Sequence, residues 1–191
     1  MTPSRRAGRG AGERSLWLVP PPPDEASVDP EPDPHEVARQ IVLRLLTGSA
    51  KSRSQLESAL RRRGCAAEVA AAVLDRMQEV GLVDDVAYAD GVVRSTQAGR
   101  GLARAAMARE LRAKGVDDET AREALAAVDD ATEEETARRL VDKRLRQLHG
   151  LDVVVQTRRL AGMLARKGYS SELSLRVIRD AVADSPEHRR D

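Results

Sequence analysis

The sequence predicts an all-α protein, built as three tandem three-helix repeats that form an elongated, curved helical array. Three observations predict it. Of 191 residues 41% are hydrophobic and 33% charged but only 2% aromatic, and Phe is absent, so Leu, Val, Ile, Ala and Met must build the core. A chain rich in Ala, Leu, Glu and Arg favours helix over sheet. Apolar residues recur at helical rather than strand spacing. One short joint is also written three times at near-regular intervals, the mark of a repeat architecture.

Residues 1–34 read as an arm outside the helical array. MTPSRRAGRGAGER is Arg/Gly-rich and PPPPDEASVDPEPDP is proline-rich and acidic, a composition that favours extended, unpacked chain. Trp17, within SLWLVP, is either a docking anchor or an idle residue. From His35 onward the pattern is helical. Ala38, Ile41, Val42, Leu45 and Leu46 form a one-sided stripe, Leu56 and Leu60 begin a second, and Val69, Val73, Leu74 and Met77 form a third. The nearest strand candidate, LDVVVQ from Leu151, is more simply a helix start capped by Asp152.

The joint reads ELRAKGVDDE in the middle copy, LRRRGCAAE in the first and LARKGYSSE in the third. Aligning Gly64, Gly115 and Gly168, which lie 51 and 53 residues apart, brings Leu60, Leu111 and Leu164 into register. Val73, Ala124 and Val177 then follow in register on the far side. A period near 50 exceeds the ~34 residues of helix-pair repeats and suits three helices with their connections. The expected units are residues 35–83, 84–129 and 130–184, with a tail at 185–191.

Within the joint each residue has a structural part. Gly115 stands where the backbone turns left-handed, at the end of a helix finished by Lys114. Val116 packs back on Leu111 in such a cap, and Asp117 is a natural N-cap for the next helix. Tyr169 and Ser170 repeat these roles, whereas Ala66 is a poor cap. The joint therefore reads as a helix corner rather than a working site.

Enzyme chemistry is not expected. His35, His149 and His188 have no Ser/Asp partners patterned for nucleophilic catalysis, and no phosphate-binding GxxxxGK[ST] is present. One Cys, Cys65, and three His make no ordinary zinc site and no intrachain disulfide. The acidic pairs Asp84–Asp85 and Asp129–Asp130 read as turn and cap residues. No cofactor or metal is expected. No apolar run approaches the ~18–20 residues of a membrane span, and LWLV is too short for a signal peptide, so a soluble, cytoplasmic protein, a monomer, is expected.

The basic residues are the informative class. Arg139, Lys143 and Arg146 are spaced four and three apart, on one helix face opposite Ala137, Val141, Leu145 and Leu148. Arg94, Arg100, Arg104, Arg109, Arg112 and Lys114 are opposed only by Asp90 and Glu110 over residues 87–115, a net +4, and Arg159 and Arg166 add a flank. Such strips suit an acidic protein groove or a phosphate backbone. Arg53 and Arg104, each eleven before its glycine, are expected to form ion pairs inside their own repeats. Tyr88 and Tyr169 stand at packing positions, so no aromatic platform for single strands is available.

The passages RSQLESALRRRG, VLDRMQEVGLVDDVAYADGVVRS and GRGLARAAMARELRAKGVDDE resemble the RecX family of bacterial RecA regulators. The most specific parts are GLVDDxxYA at residues 81–89 and ELxxKG at residues 110–115. The resemblance spans about residues 36–184 and is weaker in the third unit. It implies tandem three-helix repeats that bind the RecA–single-stranded-DNA filament and damp ATP hydrolysis and strand exchange. The alternative is a direct DNA-binding regulator built of helix-turn-helix-like units.

Overall fold

The computed structural model describes residues 32–184. The expectations for residues 1–31, Trp17 among them, and for the tail at 185–191 lie outside the described residues. The described residues form nine α-helices and no strand. In order they are α1 (Pro34–Gly48), α2 (Arg53–Arg61), α3 (Ala67–Glu79), α4 (Asp85–Arg100) and α5 (Arg104–Ala113). They continue with α6 (Asp118–Ala126), α7 (Asp130–Leu145), α8 (Val153–Arg166) and α9 (Ser171–Ala183), a short 3-10 turn at Arg146–Leu148 following α7. LDVVVQ opens α8: the Asp152 carboxylate accepts the Val154 N–H at 2.8 Å, as its capping role requires.

The helices pack in trios. α1, α2 and α3 contact one another, as do α4, α5 and α6, and α7, α8 and α9. Each trio has its own core. Leu56, Leu60 and Leu74 anchor the first, Met107 and Leu111 the second, and Leu160, Leu164 and Ile178 the third. Leu60, Leu111 and Leu164, four before the three glycines, are all 0% exposed. Burying a leucine contributes about 2 kcal/mol, so this position binds each corner to its core.

The three corners are the same motif. Gly64, Gly115 and Gly168 have φ of +77°, +76° and +88°. The N–H of the following residue, Cys65, Val116 or Tyr169, donates to the carbonyl of Leu60, Leu111 or Leu164 at 3.1–3.2 Å. The glycine N–H donates to Arg61, Arg112 or Ala165 at 3.0 Å, completing a Schellman cap. Asp117 then caps α6 through the N–H groups of Glu119 and Thr120, and Ser170 caps α9 through Leu173. Ala66 supplies no side-chain cap to α3. Asp84 and Asp129, read as cap residues, accept Ala87 N–H and Thr132 N–H at the starts of α4 and α7.

Each trio is fastened to the next at the start of its second helix. The Ser52 hydroxyl, capping α2, donates to the carbonyl of Lys114 at the end of α5. One unit on, the N–H of Ala103, preceding α5, donates to the Lys167 carbonyl at the end of α8, at 3.0 Å. The next residue is an arginine in both places. Arg53 N–H donates to Asp85 at 2.8 Å, and Arg104 N–H to Glu133 at 2.8 Å, each carboxylate coming from the first helix of the following unit. The Arg53 guanidinium turns back to Asp75 (2.7 Å) and Gln78 in its own repeat, as expected. The Arg104 guanidinium does not: it pairs with Glu133 (3.2 Å) and Asp130 of α7. The register partner of Asp75, 51 residues on, is Ala126, which offers no carboxylate, so Arg104 reaches across the joint.

The joint between the second and third trios carries further ties. The Lys167 ammonium donates to the Arg100 carbonyl. Tyr169, only 6% exposed, donates its hydroxyl to the Gly101 carbonyl at 3.1 Å. Burial pushes its phenol up to about 12.

Candidate functional site

No group of His, Cys, Asp and Glu among the described residues could hold a metal ion. No described helix is long and apolar enough to cross a membrane. The chemistry of the surface is that of its cations, and the helix packing gathers them into clefts.

The first cleft lies between the C-terminal half of α4 and the middle of α7. It measures about 520 Å³ and is lined by Arg94, Arg100, Arg139 and Lys143 with no carboxylate. Its floor is made of small or polar residues, Gly99, Gly101 and Thr136 among them. Gly101 ends α4 in left-handed backbone, φ +55°, which turns the chain beneath α7. The Arg139 guanidinium donates to the Thr136 hydroxyl at 3.0 Å and is thereby oriented. Thus two strips that are separate in sequence, Arg94/Arg100 and Arg139/Lys143, meet across the joint between the second and third units.

The other candidates distribute differently. Arg146 falls in the 3-10 turn beyond α7 and does not line this cleft. Arg109 is exposed on α5 without a carboxylate partner among the described residues. Arg112 pairs with Asp118 at 2.9 Å and Arg100 with Glu110 at 2.7 Å, so both are partly neutralised. Asp118 is one helix away from Arg112, which is why residues 87–115 alone overstate the free charge. Lys114 lines another cleft of about 480 Å³, with Lys51, Arg62 and Arg63, between the first and second units. Arg159 and Arg166 line a third cleft with Arg144 and Arg158, between α7 and α8.

Arg144, Arg158, Lys51, Arg62 and Arg63 were not singled out by the sequence reading. The signal for the first two was available. Residues 143–171 carry Lys143, Arg144, Arg146, Arg158, Arg159, Arg166 and Lys167 against Asp152 alone, seven cations to one carboxylate.

With this geometry in place, the comparisons with known proteins are direct. Models of the first, second and third three-helix domains of RecX match residues 38–77, 84–125 and 132–178. The chain belongs to the RecX family. It is 52% identical over 159 residues to a regulatory protein RecX of Streptomyces coelicolor, covering 83% of this chain and 85% of that one. It is 51% identical over 160 residues to that of Thermobifida fusca, covering 84% and 86%. The crystal structure of RecX from Lactobacillus salivarius superposes with a TM-score of 0.70 at 20% identity, over 78% of this chain and 97% of that one. At that identity the likeness speaks for the fold.

The residues that carry the RecX resemblance are architectural. In GLVDDVAYA, Gly81 has φ +72°, Val83 is buried in the first core, Asp84 caps α4 and Asp85 holds Arg53. Tyr88 packs against the second core. In ELRAKG, Leu111 and Gly115 make the corner, while Glu110 pairs with Arg100. The RecX signature therefore writes the joints, and the cations stand on the faces those joints orient.

Proposed function

We propose that this RecX-family chain binds RecA and the single-stranded-DNA filament RecA forms. In doing so it inhibits or modulates ATP hydrolysis, strand exchange and filament growth, in recombination, DNA repair and the SOS response. It acts by binding, without catalysis or a cofactor. The observation that carries this reading is the α4–α7 cleft, where four cations from two units converge with no carboxylate in the lining. Concave, acid-free basic surfaces attract acidic partners and speed their encounter. The tandem units add a second property. Several modest contacts made from one chain reinforce one another through effective concentration, which suits a partner that repeats along a filament.

The test is RecA's ATPase on single-stranded DNA with this chain titrated in. Inhibition that saturates with concentration is the expected result. A rate unchanged at concentrations well above that of RecA would remove the reading.

A further inference from the structure

The α7–α8 cleft is a basic surface distinct from the one assigned to the filament. It measures about 570 Å³ and is lined by Arg144, Arg158, Arg159, Gly162, Met163 and Arg166. Four guanidiniums and no carboxylate meet there. On the α7–α9 side of this unit two arginines are matched by acids: Arg138 and Arg176 both reach Glu134, and Arg138 also approaches Asp180. The α7–α9 side is thus charge-paired while the α7–α8 side is bare. α8 itself contains no Asp or Glu in fourteen residues.

The spacing within α8 aims the cations together. Arg159, Gly162, Met163 and Arg166 stand at i, i+3, i+4 and i+7, one helix face. Gly162 is the odd member. Glycine is a poor residue for a helix interior, and no close packing demands it here, since an added Cβ would meet only Arg166 Nη1, at 3.4 Å. Its effect is to leave the floor of the cleft open between the arginines.

We infer that this α7–α8 cleft binds the phosphate backbone of single-stranded nucleic acid directly, without RecA. Guanidiniums present paired donors that match phosphate oxygens. The same fork also matches carboxylates, but a single-stranded nucleic acid carries a phosphate at every nucleotide along one chain, which suits four guanidiniums lining one cleft. A flexible phosphodiester chain can enter such a recess, and Met163 offers apolar contact to its sugars or bases. The inference goes beyond the filament reading and does not need it, because the oligonucleotide measurement that decides it contains no RecA.

The experiment measures anisotropy of a fluorescein-labelled oligothymidylate with the full chain, at two salt concentrations. Wild type is expected to bind more tightly as the oligonucleotide lengthens. The Arg159→Ala/Arg166→Ala variant should lose about tenfold or more in affinity, and its salt slope should shallow by roughly 1.4, for two lost phosphate contacts. A second variant separates binding from folding. Gly162→Glu replaces a poor helix former and places a carboxylate among four arginines, so its melting temperature should hold or rise while oligonucleotide binding falls. Unchanged affinity in either variant overturns the proposal. So does binding independent of oligonucleotide length and displaced by millimolar inorganic phosphate at constant ionic strength, which would mark a small-anion site. If Arg159→Ala/Arg166→Ala instead kept its oligonucleotide affinity and lost only binding to DNA-free RecA, the cleft would serve an acidic protein and the proposal would fall.

Discussion

A methyl group placed on Gly168 would lie 2.6 Å from the Cβ of Ala106, so the third corner is seated directly on the start of α5. Gly115 meets Ser54 at the start of α2 in the same manner, but among the described residues nothing lies within 4 Å of the corresponding point on Gly64. Alanine at any of the three bears the left-handed backbone penalty, about 1 kcal/mol. Gly115→Ala and Gly168→Ala must also displace a neighbouring helix, a further ~1–3 kcal/mol. Thermal melts should therefore show Gly64→Ala lowered by roughly 2–4 °C, with the other two lowered at least twice as far. Equal losses at all three would show that the second and third corners do not bear on their neighbours.

Arg104 should matter more than an ordinary surface arginine. Its guanidinium holds Glu133, whose side chain is 15% exposed, across the joint between units. Arg104→Ala is expected to lose ~1–2 kcal/mol in urea unfolding, because the largely covered Glu133 carboxylate loses its guanidinium partner and keeps only the backbone N–H of residue 104. Arg76→Ala removes an exposed pair with Glu79 on α3 and should change stability by no more than ~0.5 kcal/mol.

Tyr169 gives the joint an alkaline limit. Its phenol is raised by burial from 10.0 to about 12. The folded state keeps a proton that the unfolded state gives up, so this contribution is complete below pH 10 and is lost as pH rises towards 12. Tyr169→Phe leaves the Gly101 carbonyl without this donor and should lose about 1–2 kcal/mol at neutral pH. It should also show a shallower fall in stability than wild type between pH 10 and 12.

At the acid end the relevant groups are caps. The Thr120 hydroxyl first, and the Thr120 N–H next, hold the Asp117 carboxyl below 3.8. The Thr132 hydroxyl and N–H do the same for Asp129. Lowered values mean stability that is present above the ordinary carboxylate range and is lost as pH falls through the folded value. Asparagine still caps a helix but does not titrate. Asp117→Asn/Asp129→Asn should therefore lose less stability than wild type as pH falls below the ordinary carboxylate range, about pH 4, measured by circular dichroism.

For activity, the cations that lack carboxylate partners should dominate. Arg139→Glu/Lys143→Glu is expected to raise the concentration needed for half-inhibition of RecA's ATPase by about tenfold or more, through repulsion in the α4–α7 cleft. Arg122 pairs with Glu119 on α6 and lines none of these clefts. Arg122→Glu should leave inhibition unchanged.

Much of the fold was legible because its rules are local. A glycine in left-handed backbone, a leucine four residues before it and a cap two residues after it all fall within ten residues of sequence. The pairing of Arg104 with Glu133 was not legible, because it joins residues 29 apart whose meeting depends on how two trios dock. The cations were visible one by one. That Arg94 and Arg139 share a cleft, while Arg112 is occupied by Asp118, is a property of packing. Arg144 and Arg158 escaped notice for a different reason: they belong to two helices and lie outside the stripe of Arg139, Lys143 and Arg146, so only the packing of α7 on α8 brings them together.

The joint also has a direction. The second helix of one unit receives the corner of the next, so the first unit's corner at Gly64 seats on no other helix among the described residues. At the other end, α8 begins fifteen residues before Gly168, whereas α2 and α5 begin eleven before Gly64 and Gly115. The place held by Ser52 and Ala103 is taken there by Gln156, inside an added helical turn, 1% exposed and donating to the Leu148 carbonyl. A head-to-tail connection with an open socket would let one molecule accept the next without end, as a fibre does. In the third unit the added turn occupies the position of that socket, and the pairing rule of the first two joints is not offered there.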